Sequence, residues 1–516
     1  MSSVSTTHND QPALHGTMLW VAAIVLAMAN FLAVLDMTIA NVTVPNIAGA
    51  LGASSSQGTW IITTYAVAEA ISVLLSGWLA ARFGAVRVFA IVVLIFGVFS
   101  LMCGLSTSLN MLLAMRLFQG IAGGPILALS LTLLLRIFPP EKAMQAMGLF
   151  AMTTLVAPVV GPVLGGWICD HYSWPWVFCI NVPLALLFSA VVYGLLKRYE
   201  APLIKNPIDK VGFLLMVIWV GSLQIMLDEG KDLDWFASEE ICILAIVAVI
   251  GFFAFLIWEL TEEHPIVDVR IFRHRGFSSC MFVLCLAFGS FFGLNVLTPQ
   301  WLQYNMNYTP VWAGLVAACG GILQIVFSPI AANLPKRVDA RWLIFIGCLW
   351  LGGDTLWRSV ATSDMDFWRI CLPIFFMGVG MPLYYIPITG LAMGSVDEKE
   401  TASASGLMNF VRTLSGAIAT SLVTTSWEDR SKVAHDQLAS IIDPSGEAAT
   451  LISGAPGMAG QMAREMLNNM VTSQSLLLAT NDLMIVMAII FFIAAFAIVL
   501  VPKPTRTVDA ASSMGH

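Results

Sequence analysis

The first half of this chain places three charged residues inside long apolar runs. They are Asp36 in Phe31-Leu-Ala-Val-Leu-Asp-Met-Thr-Ile-Ala-Asn-Val-Thr-Val-Pro45, Glu69 in the second run and Arg116 in the fourth. A charge in hydrocarbon costs at least roughly 2.5–3.5 kcal/mol, so each needs a partner or a wet cavity. Counted from the ends of their runs, the three lie roughly 10–17 Å below one surface of an apolar core about 30 Å thick. Two carboxylates and one guanidinium thus share a layer. Burial and a neighbouring guanidinium pull a carboxylate's proton affinity in opposite directions, which suits a group that exchanges H⁺ as a cavity changes sides. None of the seven histidines (8, 15, 171, 264, 274, 435 and 516) lies in an apolar run, so carboxylates must carry any such exchange. A fixed Asp36–Arg116 ion pair and recognition of a charged substrate are the other readings of these residues.

The elements that must hold them are membrane helices. The chain has 516 residues, 58% apolar and 11% charged, with mean hydropathy +0.83; soluble domains carry about 25% charged residues. Fourteen runs approach the length of about 20 residues that a spanning helix needs: 18–40, 58–81, 87–107, 109–134, 144–168, 176–196, 211–228, 241–260, 277–298, 311–333, 342–360, 368–393, 404–425 and 478–501. An even number puts both termini on one side. Of the 25 lysines and arginines, seventeen then fall on the side of the termini and five on the other, with Arg116, Arg358 and Arg412 inside runs. That bias places both termini in the cytoplasm. No basic, aromatic-interleaved face suggests a nucleic-acid partner. No nucleophile–base pair, metal cluster or phosphate loop suggests an enzyme or a cofactor. The nine cysteines read as small buried hydrophobes, although Cys169 and Cys179 flank one outer loop and could pair. Residues 1–17 contain no Lys or Arg, so the first run reads as a retained anchor rather than a cleaved signal.

The runs group into a tail (1–17), a six-helix bundle (18–197), a charged, proline-broken linker (198–210), a helix hairpin (211–260) and an inner loop (261–276). A second six-helix bundle (277–501) and a tail (502–516) follow. The second bundle contains an outer loop, 426–477, whose latter half reads as a short surface helix. Met144-Gln-Ala-Met-Gly148-Leu149 resembles Ser403-Ala-Ser-Gly406-Leu407, and Phe118-Gln-Gly120 resembles Phe376-Met-Gly378. These matches pair spans four and five with twelve and thirteen, as in two parallel halves with a site between them. Ile374 stands where Arg116 has its counterpart, and Asp354 and Arg358 are spaced as a local i,i+4 pair. In span five, Ala157, Gly161 and Gly165, with Gly166 beside them, form a small-residue stripe for close helix approach. Pro158 and Pro162 should bend that helix. Between spans two and three, Gly77, Arg82, Gly84 and Arg87 make a tight inner turn whose arginines brace helix ends or simply anchor the inner side.

These stretches together resemble a fourteen-span drug:proton antiporter of the major facilitator superfamily, in the EmrB/QacA family and most like its EmrB branch. The resemblance rests on Leu35-Asp-Met-Thr-Ile-Ala-Asn-Val-Thr-Val-Pro45, Arg116-Leu-Phe-Gln119-Gly120, Gly161-Pro-Val-Leu-Gly-Gly166, Trp174-Pro-Trp-Val-Phe-Cys-Ile-Asn-Val-Pro183, Leu223-Gln-Ile-Met-Leu-Asp-Glu-Gly230 and Asn409-Phe-Val-Arg-Thr-Leu-Ser-Gly416. It covers nearly the whole chain. It implies an all-α polytopic fold of two six-helix bundles plus an inserted two-helix hairpin, and proton-driven export of lipophilic compounds by alternating access. It also implies a bacterial inner membrane, a periplasmic adaptor and an outer-membrane channel. Asp36 and Arg116 would be coupling residues, and Glu69 an additional titrating or cation-attracting group. A mostly apolar cavity would offer Gln119, Asn295, Gln324, Tyr384, Tyr385 and Asn409 as polar contacts. Two positions depart from the pattern: Ala81 replaces the usual acid of the inner-loop signature, and Glu69 stands where the branch tends to have a neutral polar residue. An importer or facilitator on the same fold is the alternative, against which the antiporter signature argues.

Overall fold

The computed structural model describes residues 16–53, 55–139, 142–200, 203, 207, 209–230, 233–263, 265–397, 400–441 and 460–501. Fourteen long helices stand at the fourteen apolar runs. They are α1 (Thr17–Ala50), α2 (Ser55–Phe83), α3 (Ala85–Gly104), α4 (Leu109–Ile137), α5 (Ala143–His171), α6 (Trp176–Tyr199), α7 (Lys210–Glu229), α8 (Glu239–Thr261), α9 (Arg275–Tyr304), α10 (Pro310–Asn333), α11 (Ala340–Arg358), α12 (Phe367–Gly394), α13 (Thr401–Ile441) and α14 (Gly460–Ala497). Eleven are long and apolar enough to cross a membrane, and the two halves of α5 make a twelfth. The remaining two, α11 and α13, fall short because they carry buried polar groups: Asp354 and Arg358 in one, Ser405, Asn409 and Arg412 in the other.

The internal repeat is visible in the packing. In the first bundle α1 packs on α5, α2 on α4, α3 on α4 and α3 on α6; in the second, α9 packs on α13, α10 on α12, α11 on α12 and α11 on α14. Every pairing recurs eight helices later. The bundles meet along two seams, α5 with α10 and α2 with α13, which the same shift exchanges. The hairpin α7–α8 lies over the second seam, against α2 and α13. Its outer member is mostly lipid-facing: 22% of the α8 span is buried, against 83% for the central α4.

Glycines set both kinds of contact. A Cβ on Gly120 would lie 2.5 Å from the Tyr65 carbonyl oxygen of α2, and one on Gly378 would strike the Gly320 carbonyl of α10. At the seams, Gly148 faces Ala332 of α10 and Gly406 faces Ser76 and Val73 of α2. Both seams are therefore tight at the end richest in lysine and arginine, called the inner end below. Gly120→Ala is expected to cost about 1–3 kcal/mol, because the obstructing atom is backbone and the helices must separate. Gly353→Ala, with nothing near its added methyl, should be neutral in the same thermal-unfolding series.

Two helices outrun any bilayer. At 1.5 Å per residue, the 41 residues of α13 extend about 60 Å, twice the hydrocarbon thickness. Most of the expected outer loop is thus helix, with α13 continuing to Ile441 and α14 beginning at Gly460. The extensions support each other: Trp427 Nε1 donates to Thr480 Oγ1 (2.9 Å), and Arg430 pairs with Asp482 (3.4 Å). Polar helices that would fray singly hold as an antiparallel pair. Cys169 and Cys179 form no disulfide.

Candidate functional site

The Asp36 carboxylate is wholly buried inside the first bundle. Its Oδ2 accepts from Arg116 Nη1 of α4 at 2.6 Å, and its Oδ1 accepts from Asn181 Nδ2 of α6 at 2.7 Å. Asn181 also donates to Ser100 Oγ of α3 (3.0 Å), and that hydroxyl donates to the Phe178 carbonyl (2.9 Å). Arg116 is held between the Tyr65 and Phe178 rings, 4.7 and 5.1 Å from their centroids, and the same Nη1 also donates to Gln119 Oε1 (3.0 Å). Its Nε and Nη2, and the Gln119 Nε2, have no partner among the described residues. Partners on α4 and α6 mean that Asp36 turns toward the interior of its own bundle. Gln119 belongs to this cage.

Glu69 occupies a different place. It is also buried, yet its carboxylate accepts no hydrogen bond among the described residues. About two turns outward from the contact of Gly406 with Ser76, Glu69 of α2 and Arg412 of α13 stand at one level of the α2–α13 seam, one from each bundle. Arg412 donates to Tyr385 Oη of α12 (3.3 Å) and lies 5.7 Å from the Phe288 ring centroid of α9. Tyr65, one turn before Glu69 on α2, supplies the ring that covers Arg116. The three residues read as one layer thus divide into a sealed ion pair and a carboxylate at the bundle boundary.

The expected polar contacts divide as well. Tyr385 joins Arg412, whereas Tyr384 is buried beside Gly347 of α11 with no partner for its hydroxyl among the described residues. Asn409, one turn before Arg412, donates back to the Ser405 carbonyl (2.9 Å), and Asn295 donates back to that of Phe291 (2.9 Å). Both polar atoms of the Gln324 amide are buried without partners among the described residues. Asp354 and Arg358 do not close on each other. Arg358 reaches Thr298 of α9 and the Met377 sulfur of α12 (3.7 Å), leaving both Asp354 oxygens without a partner among the described residues, because neighbouring helices offer donors and acceptors that a single helix face lacks.

The stripe on α5 packs on the helix that carries Asp36. A Cβ at Gly161 would meet Thr38, and one at Gly165 would lie 3.2 Å from Ile39, while Gly166 faces Val311 of α10. Between Ala143–Pro158 and Val160–Cys169 the helix bends by 42°, as removal of two backbone donors requires. Helix α5 is thus wedged between α1 and the opposite bundle, so a change in its bend must displace both.

At the inner turn, Gly77 packs on Ser403 of α13 and Gly84 takes φ +95°. Arg82 lies over the Trp78 and Phe83 rings (5.7 and 5.8 Å). The acid missing at Ala81 has a counterpart from outside the turn. Glu200, after α6, accepts from the backbone N–H groups of Val86 (3.1 Å) and Arg87 (3.0 Å), placing a carboxylate on the α3 N-terminus where the helix dipole favours it. Sequence reasoning missed Glu200, Asn181 and Tyr65. Arg412 was signalled by its position within a run and by the 409–416 stretch of the resemblance, without a role attached to it. Glu200→Ala is expected to lower stability by about 1 kcal/mol, the usual loss for an N-terminal cap. Limited proteolysis of the 198–210 linker should accelerate in parallel.

A family model described as Major Facilitator Superfamily matches residues 26–420. The multidrug export protein EmrB of Escherichia coli (strain K12) is 41% identical over 488 residues, covering 94% of this chain and 95% of that protein. The fatty acid resistance protein FarB of Neisseria gonorrhoeae is 39% identical over 500 residues, covering 96% and 98%. Among solved structures, an auto-inhibited POT family peptide transporter superposes with a TM-score of 0.57 at 16% identity, covering 96% of this chain and 98% of that one. A bacterial homologue of the lysosomal transporter Spinster gives 0.54 at 15%, covering 94% and 98%. At such identities the structural likeness shows the fold alone.

Proposed function

Taking as premise that the chain belongs to the Major Facilitator Superfamily and to its EmrB-type drug transporters, we propose that it exports lipophilic toxic compounds in exchange for protons. The observation that carries the coupling is the placement of Glu69. A carboxylate on one bundle at the level of a guanidinium on the other makes the attraction between bundles depend on whether a proton is bound. Proton binding weakens the α2–α13 seam, and release restores it. Asp36 and Arg116 form the companion pair on α1 and α4, and α5 transmits bundle motion to α1 through its glycine contacts. A buried ion pair that loses one partner leaves a costly uncompensated charge. Proton entry at Asp36 therefore has to coincide with a rearrangement that gives Arg116 another anion or water.

The relatives' names, multidrug export and fatty acid resistance, support substrates that are lipophilic and in some cases acidic, for which Arg412, Tyr385 and Asn409 would supply polar contacts. The lysine and arginine distribution supports cytoplasmic termini in an inner membrane. The paired extensions of α13 and α14 then project on the periplasmic side, where an adaptor leading to an outer-membrane channel would contact them. Inverted vesicles with an imposed pH gradient test the reading. Adding substrate should dissipate the gradient while substrate accumulates inside; substrate movement without proton movement overturns it, and the opposite direction would indicate an importer.

A further inference from the structure

Beside the hairpin is a cavity of about 910 Å³ that the transport reading does not use. This is near the upper end of the about 300–1,000 Å³ typical of small-molecule sites. Its walls are apolar side chains of α7, α8 and α13, among them Trp219, Phe252, Phe253 and Phe410. Phe253 is 56% exposed, so the cavity opens sideways into the bilayer over the α2–α13 seam. Among the described residues that line it only two are charged, Arg270 and Arg273, and none is a carboxylate.

Both arginines belong to a single 3₁₀ turn, Val269–Arg273, at the inner end of α8. A 3₁₀ helix has three residues per turn, so side chains at i and i+3 eclipse. Arg270 and Arg273 therefore share one face, and Val269 and Phe272 share another that also lines the cavity. The turn follows the inner end of α8 and presents an apolar face and a guanidinium face to the same cavity. Arg270 Nη2 is tied to the Leu260 and Glu262 carbonyls (3.1 and 2.7 Å). Arg273 pairs with Glu400 at 2.8 Å while its side chain stays 60% exposed, leaving donors for a second anion.

We propose that this cavity binds an anionic phospholipid of the inner leaflet, with an acyl chain among the aromatic walls and the phosphate against Arg270 and Arg273. Basic pockets between spanning helices on this side of a membrane suit such headgroups. The bound lipid fills the space between the hairpin and the seam, so the hairpin packs on the bundles partly through lipid. Nothing in this inference depends on the direction or coupling of transport.

The test uses the full chain in nanodiscs, with phosphatidylglycerol or phosphatidylcholine brominated on the acyl chain. Quenching attributed to Trp219 is read as the difference from Trp219→Phe. The expected result is half-maximal quenching at a several-fold lower fraction of phosphatidylglycerol. Arg273→Gln should erode this preference by about fivefold, the factor one arginine near an anionic surface contributes, while Arg273→Lys keeps most of it. Because Arg273 is exposed, its replacement leaves the fold intact. Equal quenching by the two lipids, or no quenching assignable to Trp219, overturns the proposal. Displacement of the brominated lipid by equimolar oleate also overturns it, in favour of a free lipophilic acid.

Discussion

Asp36→Ala is expected to destabilise the purified protein by about 3–5 kcal/mol, the usual result of removing one partner of a buried ion pair. The loss is large because Arg116 would keep its charge between two aromatic rings with, among the described residues, only Gln119 accepting from it. Thermal unfolding in detergent measures it. The informative companion is Asp36→Leu with Arg116→Met, which removes both charges and fills much of the same space. Replacing a buried pair by apolar residues is often neutral or stabilising, so this double variant should recover most of the stability. A purely structural pair predicts that transport returns with it. The coupling reading predicts a stable protein that moves no protons. Recovery of gradient dissipation in the double variant would remove Asp36 and Arg116 from the mechanism.

Glu69→Gln should show the opposite profile. The substitution is nearly isosteric and leaves no carboxylate at the level of Arg412, so the fold and the binding of a fluorescent lipophilic substrate should survive. Substrate-driven proton release should fall by on the order of 10²-fold or more, the low end of what a positioned proton-transfer group contributes. Glu69→Asp, which keeps the acid but shortens its reach toward α13, should retain part of the coupling. If Glu69→Gln vesicles dissipate an imposed gradient as the parent does, the charge across the seam has no part in exchange. The two sites are then distinguishable, since one variant loses stability and the other loses coupling at constant stability.

Much of this architecture was legible before any coordinates. Hydropathy belongs to each segment separately, and every spanning helix satisfies its own backbone, so fourteen apolar runs became fourteen helices without reference to one another. The repeat was legible for a related reason: Gly120 and Gly378, like Gly148 and Gly406, mark equivalent close approaches, where a side chain would strike a neighbouring helix. The 426–477 segment read less well. Its polar residues look like a loop when taken alone, and its helices persist because α13 and α14 pair through Trp427 and Thr480.

Partner choice came only from tertiary structure. Sequence spacing placed Asp36, Glu69 and Arg116 at similar depth, but depth does not say which way a side chain turns. Each successive residue rotates about 100° around the helix axis, and the rotation of a whole helix is set by its packing against neighbours distant in the chain. That rotation turned Asp36 inward to Arg116 and Asn181, put Glu69 at the level of Arg412 on the seam, and left Glu200 free to reach the turn that lacks its own acid. The sequence by itself determined that this is a many-helix membrane protein with charges where charges are costly. Which of those charges answer one another was decided by how the helices pack.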